Sequence, residues 1–285
     1  MKIENACVEC IIGQTQRVAD AIGADDALRE KIRKDVLAMS NAFDFAKSPP
    51  EVAREVYEHL AVLAGKKDLY DEVKRHSSEK AKTFIPFLRE QIAKADDPFL
   101  TAVKVAVAGN VIDLAAEVSF DLDTEIDKLF HTHFAHDDVD ALRQRLSGAK
   151  TLLYIGDNAG EHLFDALAIE AVAALYPQLA ITYMTRGKPI INDVTFDEAM
   201  ADGLAEVATL VDSGVDTPGF VYERASEEAR RLFDESDVVL TKGMGNYECL
   251  SPSPRGDLVY LLKVKCNVVS RSIGAEIGSI ICKLV

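Results

Sequence analysis

The chain has no tryptophan and only nine prolines, sixteen glycines and five cysteines in 285 residues. So little Gly and Pro excludes collagen-like and low-complexity architectures. The cysteines are odd in number and scattered at 7, 10, 249, 266 and 282, which argues against a disulfide framework and for reduced thiols. No apolar run approaches the ~20 residues of a membrane span. The longest, 151–155 and 258–264, are of strand length. The opening MKIENACVECII lacks the apolar core of a secretory signal, so a cytoplasmic address is expected. Positive charge is also short: 32 Lys and Arg against 47 Asp and Glu leave a net charge of −15. Such a field repels phosphate backbones, and no basic patch large enough to reverse it is present. Neither nucleic acid nor membrane is therefore an expected partner.

What remains is an ordinary globular composition, 48% hydrophobic and 28% charged, long enough for one large domain or two modest ones. Up to residue 148 the pattern is helical almost throughout. The segments 10–22, 27–39 and 51–63 carry apolar residues three and four apart, separated by Gly23, Pro49, Pro50 and Gly65. A long amphipathic stretch, 69–95, contains Pro86, which is expected to kink or break it. A further helical run, 97–117, holds AGNVIDL. The motif HTHFAH (His131, His133, His136) falls in the stretch before residue 149 and is read as a solvated helix end in preference to a metal site.

From residue 149 the texture changes. Apolar runs at 151–155, 180–184, 207–211, 238–240 and 258–264 alternate with helical pieces at 160–175, 195–201 and 222–233. Strand, helix, strand at this spacing implies crossovers. The expected fold is α/β, a mainly parallel Rossmann-like sheet flanked by helices, with an all-helical N-terminal region. The expected division is 1–148 and 149–285.

In an open parallel sheet, ligands bind beyond the carboxyl ends of the strands. Successive strand ends here carry YIGDNAGE, MTRGKPIINDVT, VDSGVDTPG, TKGMGNYE and KVKCN. Asp157, Asn158 and Asp193 offer hard oxygen donors of the kind that suit Mg²⁺ or Mn²⁺. Lys242 and Lys265, with Arg186 or Lys188, bring charge for phosphate oxygens. The helix following Gly160 presents free amides to an anion. A cation, lysines and a helix N-terminus together describe a phosphoryl site. Taken singly, Asp-Asn after a strand also serves as a helix cap, and Lys242-Gly243 as a surface turn.

The ordered set CVEC, AGNVID, DNAGE, KPIINDVT, SGVDTPG, KGMGNYE and KVKC spans nearly the whole chain and resembles the metal-dependent damage-control phosphatases, in the branch that carries an N-terminal CxxC. The resemblance implies hydrolysis of small phosphorylated metabolites with a divalent ion, Mn, Ni, Co or Mg, held by Asp157, Asn158 and Asp193. It places Lys242, with the adjoining Gly243, and Lys265 near the substrate phosphate, and aligns Glu161, Asn192 and Asn246 with polar residues of the pocket. Asp157 or Glu161 would orient or deprotonate a water, or Asp157 would itself attack phosphorus. The N-terminal helices would wall the pocket, Asn110 and Asp113 reaching in. Cys7 and Cys10, three apart on a helix, fit buried packing, half a metal site or a redox pair.

Two other readings compete. YIGDNAGE after the first α/β strand also resembles a loop that cradles S-adenosylmethionine, with Asp212 as the ribose acid of a carboxyl methyltransferase, although it lacks the G-x-G spacing. The other is a non-catalytic protein that binds a phosphorylated metabolite.

Overall fold

The computed structural model describes residues 1–111, 130–253 and 255–285, with residues 108, 110 and 111 described by backbone alone. Three helices open the chain, α1 (Asn5–Ala21), α2 (Asp26–Ser40) and α3 (Pro49–Ala64). The start of α3 shows how local sequence sets an element. The Glu51 carboxylate accepts from both the backbone N–H and the Oγ of Ser48, at 2.8 and 2.7 Å. Pro49 and Pro50 fill the first turn, where no backbone donor is needed.

Next come α4 (Asp71–Lys94) and α5 (Pro98–Val111). Pro86 does not break α4, which runs on through it. Ala81 before it and Leu88 and Ile92 after it are all buried in one core, and that burial outweighs the lost hydrogen bond.

The remainder is β1 (Phe134–Asp137), α6 (Val139–Gly148), β2 (Thr151–Ile155), α7 (Glu161–Leu175), β3 (Ala180–Thr185), α8 (Phe196–Ala201), β4 (Thr209–Asp212), α9 (Glu227–Glu235), β5 (Val238–Lys242), α10 (Gly243–Leu250), β6 (Leu258–Lys263), α11 (Asn267–Ile273) and β7 (Ile280–Leu284). The seven strands form one sheet in the order β1-β7-β6-β5-β2-β3-β4. Every pairing is parallel except β6 with β7.

Two strands lie outside the sequence expectation. HTHFAH is not a solvated helix end: its second half is β1, and the His136 ring Nε2 pairs with the Ile273 carbonyl at 2.8 Å. β7 packs between β1 and β6. The sheet therefore begins before residue 148.

Alternation along the strands divides the core. Leu152, Tyr154, Ile181, Tyr183, Leu240 and Leu261 face α4, α5, α6 and α7. Leu153, Ile155, Met184, Val239, Tyr260 and Leu262 face α9, α10 and α11. A third apolar cluster joins α1, α2 and α3 to Ile190 after β3 and Val268 after β6. The first three helices thus cap the carboxyl edge of the sheet, while α4 and α5 flank one of its faces.

Candidate active site

Strand order reverses between β2 and β5, and the turns leaving these strands diverge to opposite faces, opening a crevice at the carboxyl edge. Asp157 and Asn158 leave β2 there, and Gly243 leaves β5. Gly243 has φ +77°, and a Cβ on it would run into the Asp157 carboxylate. Glycine is required on both counts.

The loop after β3 is laced to the loop after β2. Val194 N–H donates to the Asp157 carbonyl at 2.9 Å, Ala159 N–H to the Asn192 carbonyl at 2.8 Å, and Arg186 N–H to the Val194 carbonyl at 3.0 Å. Asn158 and Asp193 face one another across an isolated bridge. These bonds gather Asp157, Asn158 and Asp193, from two strand ends, at one place. Asn192 and Lys265 line the same cavity as these three, with a volume of about 470 Å³.

Burial sets the electrostatics. Desolvation raises the Asp157 carboxyl above its usual range, opposed by Arg186, Lys265 and Lys242. Desolvation likewise lifts Asp193 to about 8, with the Arg186 guanidinium pulling down and Asp157 pushing up. Glu161 is lifted to about 7 by desolvation and then by Asp157. Arg186 is itself buried, its Nε donating to Asp193 at 2.7 Å and its Nη2 to Asn246 Oδ1 at 3.1 Å, while Nη1 has no partner among the described residues.

The Asn158 amide donates to Asp157 Oδ2 at 3.0 Å and to Glu161 Oε1 at 2.9 Å, leaving its side-chain oxygen to other partners. Among the described residues no three His, Cys, Asp or Glu are grouped to hold a metal. The donor set is instead two carboxylates and an amide. All are hard oxygen donors, and the carboxylates are destabilised as anions by burial, so a divalent ion fits them.

Lys242 and Glu161 lie beneath the cavity. Lys242 is fully buried, its Nζ 2.6 Å from Asp165 Oδ1 and 3.8 Å from Glu161 Oε2. Asp165 also accepts from the hydroxyls of Tyr154 and Tyr183, at 2.6 and 3.0 Å. Asn246, buried too, spends its side chain inside the protein. It donates to the Gly156 and Lys242 carbonyls at 3.0 and 2.7 Å and accepts from Phe220 N–H at 2.8 Å as well as from Arg186. It clamps the turns after β2 and β5 together.

The AGNVID motif reaches this centre through Gly109, where a Cβ would come within 2.6 Å of Glu161 Cγ. The Asn110 side chain and all of Asp113 lie outside the described residues. Asp212, at the end of β4, closes a local turn by accepting from Gly214 N–H at 2.7 Å.

The walls opposite the strand ends come from α1 and α3, through Cys7, Cys10, Ile11, Pro50 and Ala53. Cys7 is buried, which pushes its thiol up, while Cys10 is exposed. Asp165 and Tyr183 went unread in the sequence. The available signal was Asp165 itself, an acid one helical turn past Glu161 with Leu163, Phe164, Leu167 and Ala168 around it.

The fold and its crevice define an α/β protein with charged and amide side chains gathered beyond its strand ends. The damage-control phosphatase ARMT1-like domain matches residues 3–281, and the chain belongs to that family. It is 28% identical to a damage-control phosphatase of Archaeoglobus fulgidus, with all of both chains covered. It is 30% identical to a damage-control phosphatase of Pyrococcus horikoshii, covering 99% of this chain and 98% of that one. The crystal structure of a DUF89 family protein from Pyrococcus horikoshii superposes with a TM-score of 0.92 at 29% identity, covering 100% of this chain and 99% of that one. No helix among the described residues is long and apolar enough to cross a membrane.

Proposed function

We propose that this damage-control phosphatase is metal-dependent and hydrolyses phosphate monoesters of small metabolites, with Asp157, Asn158 and Asp193 holding the ion. The observation that carries this is the excess of buried carboxylate at the cavity floor: Asp157, Asp193 and Glu161 are all raised, and the nearby cations leave room for more positive charge. A divalent ion bound there supplies Lewis acidity to a phosphoryl oxygen and acidity to a water.

The chain's own residues supply the rest. Lys265, exposed in the cavity, meets phosphate oxygens directly. Lys242 adds positive potential from below, held at Asp165 and kept charged by the carboxylates around it. Glu161, titrating near neutrality and oriented by the Asn158 amide, takes and returns a proton at its carboxyl oxygen. Burial of Asp157 and Asp193 keeps bulk water off the carboxylates.

A panel of phosphate monoesters screened against Mn²⁺, Mg²⁺, Ni²⁺ and Co²⁺, scored by free phosphate, tests the reading. Release that is unaffected by chelation refutes it. Rapid quench of a single turnover, with borohydride reduction of any aspartyl phosphate, distinguishes attack by Asp157 from attack by water, since only the first leaves a covalent intermediate to trap.

A further inference from the structure

A second cavity, about 570 Å³ and thus of metabolite size, opens between α3 and the loop after β3. Its apolar surface comes from Tyr57, Ala61, Leu69, Pro189, Ile190 and Ile191. Its charges do not balance. Glu58 and Asp216 are held by Arg54 at 3.0 and 2.9 Å, Asp216 also by Arg224 at 2.7 Å, and Asp68 by Lys74 at 2.5 Å. Every carboxylate on this wall therefore already touches a cation. Lys66, Lys67 and Lys188 are exposed on the same wall and have no carboxylate partner among the described residues. In a chain of net charge −15, three uncompensated lysines around an apolar recess attract an anion locally.

A separate observation ties this cavity to the metal-binding loop. Ile191 has φ +47°, a left-handed conformation that a β-branched residue adopts only when its surroundings hold it there. Its residue lines both cavities, and Asn192 and Asp193 follow it directly. We propose that the recess between α3 and the 188–191 loop is a second binding site, for a small organic anion with an apolar body, whose occupancy is felt at Asp193 through Ile191. Lys188, offered by the sequence as a charge for phosphate oxygens, lines this recess and not the cavity of Asp157 and Lys265, so the site shares no residue with the proposed metal and phosphate groups and stands or falls apart from the phosphatase reading.

The test titrates 2-naphthalenesulfonate, an aryl anion with no phosphate ester to cleave, into the full-length chain without added metal. Calorimetry follows binding, and backbone amide NMR follows residues 191–193. Saturable binding is expected, weakened by salt, unchanged in Asp157→Ala, and weakened about tenfold or more in Lys66→Ala/Lys67→Ala/Lys188→Ala and in Ala61→Trp, which fills the recess. The amides of 191–193 are expected to shift with the probe in the parent chain and not in the triple-lysine variant. The exposed lysines carry no core contact, so the triple variant keeps the fold. Absence of saturable binding, full binding by both recess variants, or loss of binding in Asp157→Ala overturns the site. Unmoved amides at 191–193 overturn its link to the metal-binding loop.

Discussion

The Asp157 carboxylate occupies the space into which a side chain on Gly243 would project, so the turns leaving β2 and β5 fit only because one of them carries no Cβ. Gly243→Ala must both displace that carboxylate and place a Cβ at φ +77°. The backbone cost is ~1–2 kcal/mol. Displacement of a reacting-site group by an ångström costs about 100-fold in rate. The variant is therefore expected to fold with a modestly lowered Tm and to lose phosphate release by at least that factor. A variant with parent kcat/KM would show that Asp157 is free to move.

Asp157→Ala and Asp193→Ala are both expected to abolish metal-dependent hydrolysis of an aryl phosphate, but with different effects on stability. Asp193 accepts from the buried Arg186 Nε, and removing it leaves that donor unpaired, at a cost of ~1–3 kcal/mol. Asp157 is itself an anion raised by burial, so its loss relieves a desolvated charge. Thermal unfolding should show Asp193→Ala well below the parent and Asp157→Ala near it or above it. Equal Tm values would remove the Arg186–Asp193 pair from the account.

Metal affinity should depend on pH with a definite sign. A ligand carboxylate binds metal as the anion, and Asp193 holds its proton up to about 8, while Glu161 beside the site holds one up to about 7 and feels the charge of the ion. Binding must release those protons, so the apparent affinity rises as pH is raised through neutrality, by about tenfold or more between pH ~6 and ~8.5. The same shifts make the metal-free chain lose stability over that rise, because the folded state binds more protons than the unfolded one. Manganese titrations at the two pH values, in buffers of differing protonation heat, check both the affinity and the proton count. A pH-independent affinity with no protons released would contradict the buried-carboxylate picture.

Lys242→Ala leaves Asp165 buried among two tyrosine hydroxyls without its cation. Activity and stability should fall together. Lys242→Met/Asp165→Asn, which removes both charges, is expected to recover most of the stability and none of the activity. Recovery of kcat by the double variant would mean that Lys242 serves only to balance Asp165.

Acid should loosen the join between α3 and the 215–224 loop. Asp216 is held down to about 2, with hydrogen bonds from Arg224 and Arg54 outweighing its partial burial. A depressed carboxylate stabilises the fold above its unfolded pKa, and that contribution disappears between pH ~4 and ~2. After solvent screening it amounts to ~1 kcal/mol. Asp216→Asn should therefore be less stable than the parent at neutral pH and converge with it only near pH ~2 and below, as followed by urea unfolding.

The parts readable from sequence are those written in short-range pattern. The strands at 151–155 and 258–263 are almost wholly buried apolar runs and that at 180–185 is buried over most of its length, and the strand-end rule then picks out Asp157, Asn158 and Asp193. β1 and β7 escaped because FAHD is only four residues long and IICKL is a comparably short run at the end of the chain, set beside β1 nearly 150 residues away. α10 escaped because it begins directly at the end of β5 with Gly243 and Gly245, poor helix formers that the site needs. The part Asp165 plays comes from Tyr183 and Lys242, 18 and 77 residues away, and the clamp made by Asn246 joins turns 90 residues apart, which no local spacing encodes. The cavity walls from α1 and α3 follow from how the first helices cap the sheet edge, a relation of layers that periodicity does not carry.

Those walls have an evolutionary consequence. The oxygen donors stand on strand ends after residue 150, while much of the surface that meets the rest of a bound molecule is borrowed from helices before residue 65. Changes to Ile11 or Ala53 can reshape what is admitted without moving a donor atom. Lineages of this architecture are thereby free to drift in diet while inheriting one reaction unchanged.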